Sequence, residues 1–258
     1  AFPELEQERE AAEEVKRDKP ILVILGNPPY NGFAGVSPTE EQGLVEPYKQ
    51  GLREWGITKN YLDDLYVRFF RLAERRIAEI TGRGVVCYIS NNSWVDQQTY
   101  VVLRQHFLQS FDKIWIDNMH GDRRRSERSL DGRSSQTIFA IPGFSAGIQQ
   151  GTVISLCLRR RPHADHPAVL YRNDIAAAQA VERRAQLLSS LDEVPFGNGY
   201  APALPSASNY YSFLPSEVDD EYGAWAAVVE IAANAPSLGL NDNRAQGTHA
   251  LCEREISQ

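Results

Sequence analysis

The run Ile21-Leu22-Val23-Ile24-Leu25, ending in Gly26-Asn27-Pro28-Pro29-Tyr30, constrains this chain more than any other stretch. Five consecutive aliphatic residues predict a short strand buried on both faces, the pattern of a parallel strand inside an α/β sheet. Ligands in such sheets sit at the carboxyl ends of the strands. Each proline drives the residue before it out of helical geometry, and neither has an N–H to donate. The backbone from Asn27 to Pro29 is therefore expected to be extended and stiff. It offers two acceptors, the Asn27 side-chain oxygen and the Pro28 carbonyl, followed by an aromatic ring.

That arrangement suits one chemical problem. An amine conjugated to an aromatic ring is a poor nucleophile because its lone pair is delocalised. Two acceptors that each take one N–H draw the nitrogen toward tetrahedral geometry and aim its lone pair at an electrophile. Tyr30 can stack on the ring that carries the amine. The amine proton can leave after attack, so the catalysis is positioning and oriented dipoles rather than a tuned base.

Asn27-Pro28-Pro29-Tyr30 after a hydrophobic strand resembles the catalytic motif of amino-group methyltransferases that use S-adenosylmethionine, chiefly the DNA N6-adenine enzymes. The wider pattern is similar to the methyltransferase region of large single-chain restriction–modification enzymes. Its matching stretches are Gly26 to Ala34, Leu62-Asp63-Asp64-Leu65-Tyr66 leading into Gly84 to Asn91, Asn118-Met119-His120-Gly121, and Gly147 to Gly151. The four-residue motif is shared with glutamine-side-chain and guanine-amino methyltransferases, so the substrate rests on the wider match. The resemblance implies catalytic roles for Asn27, Pro28, Pro29 and Tyr30, with double-stranded DNA as partner. It also implies a second aromatic that sandwiches the flipped base against Tyr30; Phe144 is the candidate and Phe139 the alternative. Asn91 and Trp94, at the end of a second predicted strand, either line the base pocket or form a turn with a capping Asp96 and a packed Trp.

The fold expected is α/β: the C-terminal half of a Rossmann-like class I methyltransferase sheet, closed by an antiparallel hairpin of Thr137–Ile141 and Thr152–Leu158, plus the start of a second domain. The first glycine is Gly26. The glycine-rich turn a cofactor site needs therefore does not precede the motif. The expectation is a chain that begins partway through the domain, with S-adenosylmethionine as cofactor at an incomplete site and an upstream half as partner. A permuted cofactor loop at Asp192 to Gly199 fails because Pro195 breaks the strand it needs and Pro202 and Pro205 break the helix.

The expected domains are a linker helix over 1–19, methyltransferase over 20–192, and a linker with truncated target-recognition domain over 193–258. Residues 3–19 are charged and helix-prone without an apolar stripe. Ser37-Pro38-Thr39-Glu40 reads as a helix start close to the motif, either a lid or a surface insertion. Asn60 would cap an amphipathic helix with Leu62, Leu65, Tyr66, Phe69, Leu72, Ala73, Ile77 and Ile80 on its apolar face and Gly82 as its stop. Asp63 and Asp64 lie in its first turn and complement its dipole rather than form a catalytic pair. Further strands are predicted over Gly84–Ser90, Lys113–Asp117 and Val169–Tyr171, with helices over Gln97–Ser110 and Ile175–Leu191.

The net charge of −7 argues against an extended basic surface. Arg123, Arg124, Arg125, Arg128 and Arg133 nevertheless crowd one polar stretch, Met119 to Ser135, predicted as a long exposed loop. It suits DNA-phosphate contact, the alternative being a solvated loop partly neutralised by Asp122, Glu127 and Asp131. His120 reads as loop polarity. His163, Asp165 and His166 lack a further ligand at suitable spacing, so no metal site is expected. Three scattered cysteines and no bilayer-length apolar run suggest a cytoplasmic protein. Two other readings stand beside the DNA methyltransferase: a non-catalytic DNA-binding specificity module derived from one, and a protein glutamine methyltransferase, which has no use for the arginine-rich loop.

Overall fold

A computed structural model describes residues 3–17, 19–30, 43–59, 61–141, 149–173, 177–192, 197–216 and 225. The Ser37 helix start, the Asn60 cap, the Phe144 ring and Cys252 lie outside the described residues. The chain divides into a unit of Ala1–Ser216 and a unit of Glu217–Gln258, of which only Trp225 is described. The predicted boundary at 192/193 falls inside the first unit, where the segment beyond it supplies a strand and the buried Phe213.

Six strands form one sheet: β1 (Val23–Gly26), β2 (Gly84–Asn91), β3 (Lys113–His120), β4 (Thr152–Arg159), β5 (Ala168–Asn173) and β6 (Ala201–Ala203). Their order is β1-β2-β4-β3-β5-β6. β1 and β2 pair in parallel, as do β3 and β5, while β4 is antiparallel to both β2 and β3. It follows that β1, β2, β3 and β5 all run one way and bring their carboxyl ends to the same edge. The helices are α1 (Pro3–Arg17), α2 (Glu46–Lys49), α3 (Leu65–Glu74), α4 (Ser93–Asp96), α5 (Val101–Ser110) and α6 (Ala180–Ser189). α3 widens into a π-helical turn over Arg75–Thr81 and stops at Gly82 in left-handed geometry.

One face of the sheet is fully covered. Val86 and Tyr88 of β2, Ile114 and Ile116 of β3, and Val153 and Cys157 of β4 are buried with Phe70 of α3 and Phe107 of α5. On the other face Cys87, Trp115, Ile154, Leu156 and Leu170 are only half-buried. No helix among the described residues is long and apolar enough to cross a membrane.

Three expectations need correction. Among the described residues, the strand predicted to be buried on both faces lies at the sheet's edge with one neighbour, and Val23 is 58% and Leu25 71% exposed. Of the apolar face predicted for α3, Leu62, Tyr66, Ala73 and Ile77 are buried as expected, but Val67 and Phe70 join them in the core while Phe69, Leu72 and Ile80 are exposed. The hairpin partner of β4 is not Thr137–Ile141, which is not a strand; β4 pairs with β2 and β3 instead. The backbone there bonds to α6 and the residues just before it: the Ile138 carbonyl accepts from Arg184 of α6, and the preceding Gln136 N–H donates to the Ala178 carbonyl. Strand pairing and helix docking compete for the same backbone groups, and the helix wins.

Candidate functional site

β1 delivers the Asn-Pro-Pro-Tyr segment to the carboxyl edge. Asn27 and Pro29 are exposed, Pro28 is buried, and Tyr30 is half-buried. The Tyr30 hydroxyl donates to Asn27 Oδ1 at 3.3 Å, and burial pushes the phenol's pKa upward, so it stays protonated and a donor. Gly26, which precedes the motif, lies against the Tyr88 ring, which an added Cβ would meet at 3.0 Å. Across from Tyr30 stands Phe139, with ring centroids 6.4 Å apart and planes inclined by 54°. The alternative aromatic thus meets the motif.

Beside the motif lies a cavity of about 720 Å³ lined by Gly26, Asn27, Pro28 and Pro29 together with Leu25, Phe69, Leu72, Ile80 and Tyr88. The side chains that α3 turns away from the core form one wall of this groove. Its cationic members are Arg75 and Arg76, and it has no Asp or Glu.

Asn91 and Trp94 take the packing alternative. Asn91 Oδ1 accepts from the Ser93 N–H at 2.8 Å, in the turn that leads into α4, and Asp96 ends that helix. Trp94 is fully buried, donates from Nε1 to Ser90 Oγ, and packs on Phe70, Phe107 and Phe213. Asp63 forms an ion pair with Lys49 at 2.9 Å, and Asp64 is the N-cap residue of α3.

The arginine-rich stretch is not a loose loop. β3 continues to His120, which is buried and has a φ of 52°. Gly121 follows with a φ of 88°, and a Cβ there would meet the Thr137 Cα at 2.5 Å, so only glycine allows this close backbone approach. Glu127 gathers the root of the loop: its carboxylate accepts from the N–H groups of Gly121 at 2.7 Å and Asp122 at 2.9 Å, and contacts His120 Nδ1. Burial alone would raise the Glu127 pKa, but the His120 contact and these N–H groups bring it below the usual carboxylate value. Arg123, Arg124, Arg125 and Arg128 all project from this frame and are exposed. Arg125 lies near Asp96 and Asp122, and Arg128 donates to the Gly132 carbonyl, whereas Arg123 and Arg124 form no ion pair among the described residues. The contact between His120 and Glu127, seven positions apart, had no sequence signal beyond their both being polar. The tie of this segment to α6 was equally hidden, although Gln179 and Glu182 form a capping box that marks where α6 starts.

Residues 2–123 match the family model of the Eco57I restriction-modification methylase. Over that stretch the chain is similar to a restriction–modification methylase region. The matched stretch includes β1, the Asn27–Tyr30 segment, β2 and β3. No curated protein matches. Among solved structures, the chain is similar to DrdV in its complex with DNA, at 25% identity and a TM-score of 0.60 over 82% of this chain. A nuclease-deletion mutant of the Type ISP restriction-modification enzyme LlaGI, in complex with a DNA substrate mimic, gives 21% identity and a TM-score of 0.61 over 80% of the chain. The ATP-dependent Type ISP enzyme LlaBIII bound to DNA gives 20% and 0.58 over 78%. These last two likenesses concern the fold. The chain spans 20%, 19% and 13% of the three structures' own chains.

Proposed function

We propose that the methylase region acts on adenine N6 in double-stranded DNA, with Asn27 and the Pro28 carbonyl accepting the two amine protons and Tyr30 and Phe139 stacking on the flipped base. The observation that carries this reading is the exposed Asn27 at the tip of β1 with Tyr30 facing Phe139 beside it. Two acceptors on a proline-stiffened segment need no reorganisation as the nitrogen becomes tetrahedral. The exposed guanidinium groups of Arg123, Arg124, Arg125 and Arg128 take the phosphates, and the DNA-bound state of DrdV supports duplex DNA as the partner. Flipping brings the adenine out of the stack to the sheet edge.

S-adenosylmethionine, the methyl donor this reading implies, does not fit the described residues by themselves. The groove beside the motif has two arginines and no carboxylate to meet ribose hydroxyls or a sulfonium cation. The apolar edge strand and groove instead suit a further protein layer. A parallel strand beside β1 would cover Val23 and Leu25, and a helix would fill the groove at Phe69, Leu72 and Ile80. The donor site then belongs to that docking segment, which makes up the upstream half of a Rossmann-like sheet.

The test is Asn27→Ala in the full-length enzyme that carries this chain. Methyl transfer should fall by at least about a hundredfold while duplex affinity stays within a few-fold. Retained transfer would remove Asn27 from its role.

A further inference from the structure

Residues 133–140 lie along the start of α6 and are gripped at successive positions. Arg133 Nη1 donates to Glu182 Oε1 at 3.0 Å, and Arg183 Nη2 donates to Ser135 Oγ at 2.6 Å. Gln136 N–H donates to the Ala178 carbonyl at 2.8 Å, and its side-chain oxygen accepts from the Ala180 N–H at 3.2 Å. Arg184 completes the series. Its Nε and Nη2 donate to the Ile138 carbonyl at 3.0 and 2.8 Å, and Nη2 donates to the Ala140 carbonyl at 2.9 Å. The two carbonyls it bridges flank Phe139, the ring that faces Tyr30.

We propose that Arg184 is a positioning residue for base stacking: its guanidinium brackets the peptide units on either side of Phe139 and presents that ring to Tyr30. This rests on the reading of Tyr30 and Phe139 as the walls of the base site. A planar guanidinium reaches two carbonyls at once with a fixed geometry, which an ammonium point charge does not. Phe139 lies outside any strand, and one turn bond, from the Ala140 N–H to the Thr137 carbonyl at 3.0 Å, spans it. The Arg184 bracket adds the tie to α6, and it leaves the side chain free to rotate as a base enters. Arg184 is itself exposed and far in sequence from the motif, and it touches the reaction only through Phe139. The arginines assigned to phosphate project from a root whose Gly121 and Asp122 N–H groups are held by Glu127, to which Arg184 makes no bond among the described residues.

The experiment uses the full-length methyltransferase with Arg184→Met, Arg184→Lys, Phe139→Ala and the double variant Phe139→Ala/Arg184→Met. Single-turnover methyl transfer, duplex affinity and the fluorescence of 2-aminopurine at the target position are read for each. Arg184→Met should lower the transfer rate about ten- to a hundredfold, with affinity within about twofold, because a misplaced wall costs rate rather than binding. Arg184→Lys should fall between it and the unaltered enzyme, and 2-aminopurine should be less quenched in both. The double variant should be no slower than Phe139→Ala alone, since the two residues act as one unit. Transfer unaffected by Arg184→Met, or losses that multiply in the double variant, would overturn the assignment while leaving the base-site reading intact. A silent Phe139→Ala would instead remove the base-site reading, and this assignment with it.

Discussion

The rings of Tyr30 and Phe139 lie with centroids 6.4 Å apart and planes tilted by 54°, although one belongs to the segment after β1 and the other to the segment bound to α6. The Tyr30 hydroxyl also donates to Asn27 Oδ1, the acceptor assigned to the substrate amine. On the proposed function, a base would exchange this internal bond for its own N–H.

Removing one wall should show in the rate. Phe139→Ala is expected to slow single-turnover methyl transfer by roughly 5- to 150-fold, corresponding to about 1–3 kcal/mol for one base–aromatic stack. Thermal stability should hardly change because the ring is only half-buried. Comparing transfer rate and melting temperature of the same preparation checks both halves of the expectation.

The arginine cluster makes a prediction about salt. If Arg123 and Arg124 each neutralise a phosphate, replacing either by Ala should reduce the slope of log affinity against log salt concentration by about 0.9. Loss should be nearly uniform across DNA sequences, since phosphate contacts carry no base information. Duplex titrations at several salt concentrations, on target and non-target DNA, give both numbers.

Gly121→Ala should loosen the frame that presents those arginines. The substituted residue would have to keep a φ of 88° with its Cβ against the Thr137 backbone. A cost of about 1–3 kcal/mol follows from the backbone strain alone. Trypsin should then cut after Arg123, Arg124 or Arg125 faster than in the unaltered chain, as fragment mapping by mass spectrometry would show.

The acid limb of stability has named sources. Glu74 is 1% exposed; burial would raise its pKa, but contacts from His106, Ser110, Tyr48 and Arg71 bring it below the ordinary 4.5. Glu127 is lowered in the same sense. A carboxylate with a depressed folded-state pKa binds fewer protons folded than unfolded, so its stabilisation is full above pH 4.5 and drains away as the pH falls below it. Glu74→Gln should remove about 1.5–3 kcal/mol at neutral pH and flatten the decline below that point. Denaturant midpoints measured from neutral pH downward test it.

Arg104 makes the corresponding claim for the core. It is fully buried and donates to the carbonyls of Trp94, Gln97, Tyr210 and Tyr211, and burial lowers its pKa to about 10. Arg104→Met would strand those acceptors, with a loss of about 1–3 kcal/mol or more. Hydrogen exchange should then quicken first around residues 207–213, which this side chain ties to α4 and α5.

Local signals were legible where chemistry is local. The prolines placed Asn27 at the end of β1, Gly82 stopped the helix before β2, and the strands β2, β3, β4 and β5 all lie where apolar runs predict them. The failures share one cause: a residue's partner is not written beside it. Leu25 and Val23 look like core residues because apolar side chains look alike whether they meet this chain or another surface. Phe69 and Phe70 are adjacent, so a helix register error of one position exchanges core for groove. Thr137 to Ile141 has strand-like composition, but Arg184, far along the chain, takes its Ile138 and Ala140 carbonyls. The resemblance implies an aromatic opposite Tyr30; Phe139 lies against it, while Phe144 is outside the described residues.

The most direct measurement is the identity of the methylated group. DNA treated with the full-length enzyme and labelled methyl donor should be digested to nucleosides and analysed by mass spectrometry. The account predicts label on adenine N6, lost when Asn27 is replaced by Ala. Label on cytosine N4, or on a protein glutamine with none in DNA, would contradict it.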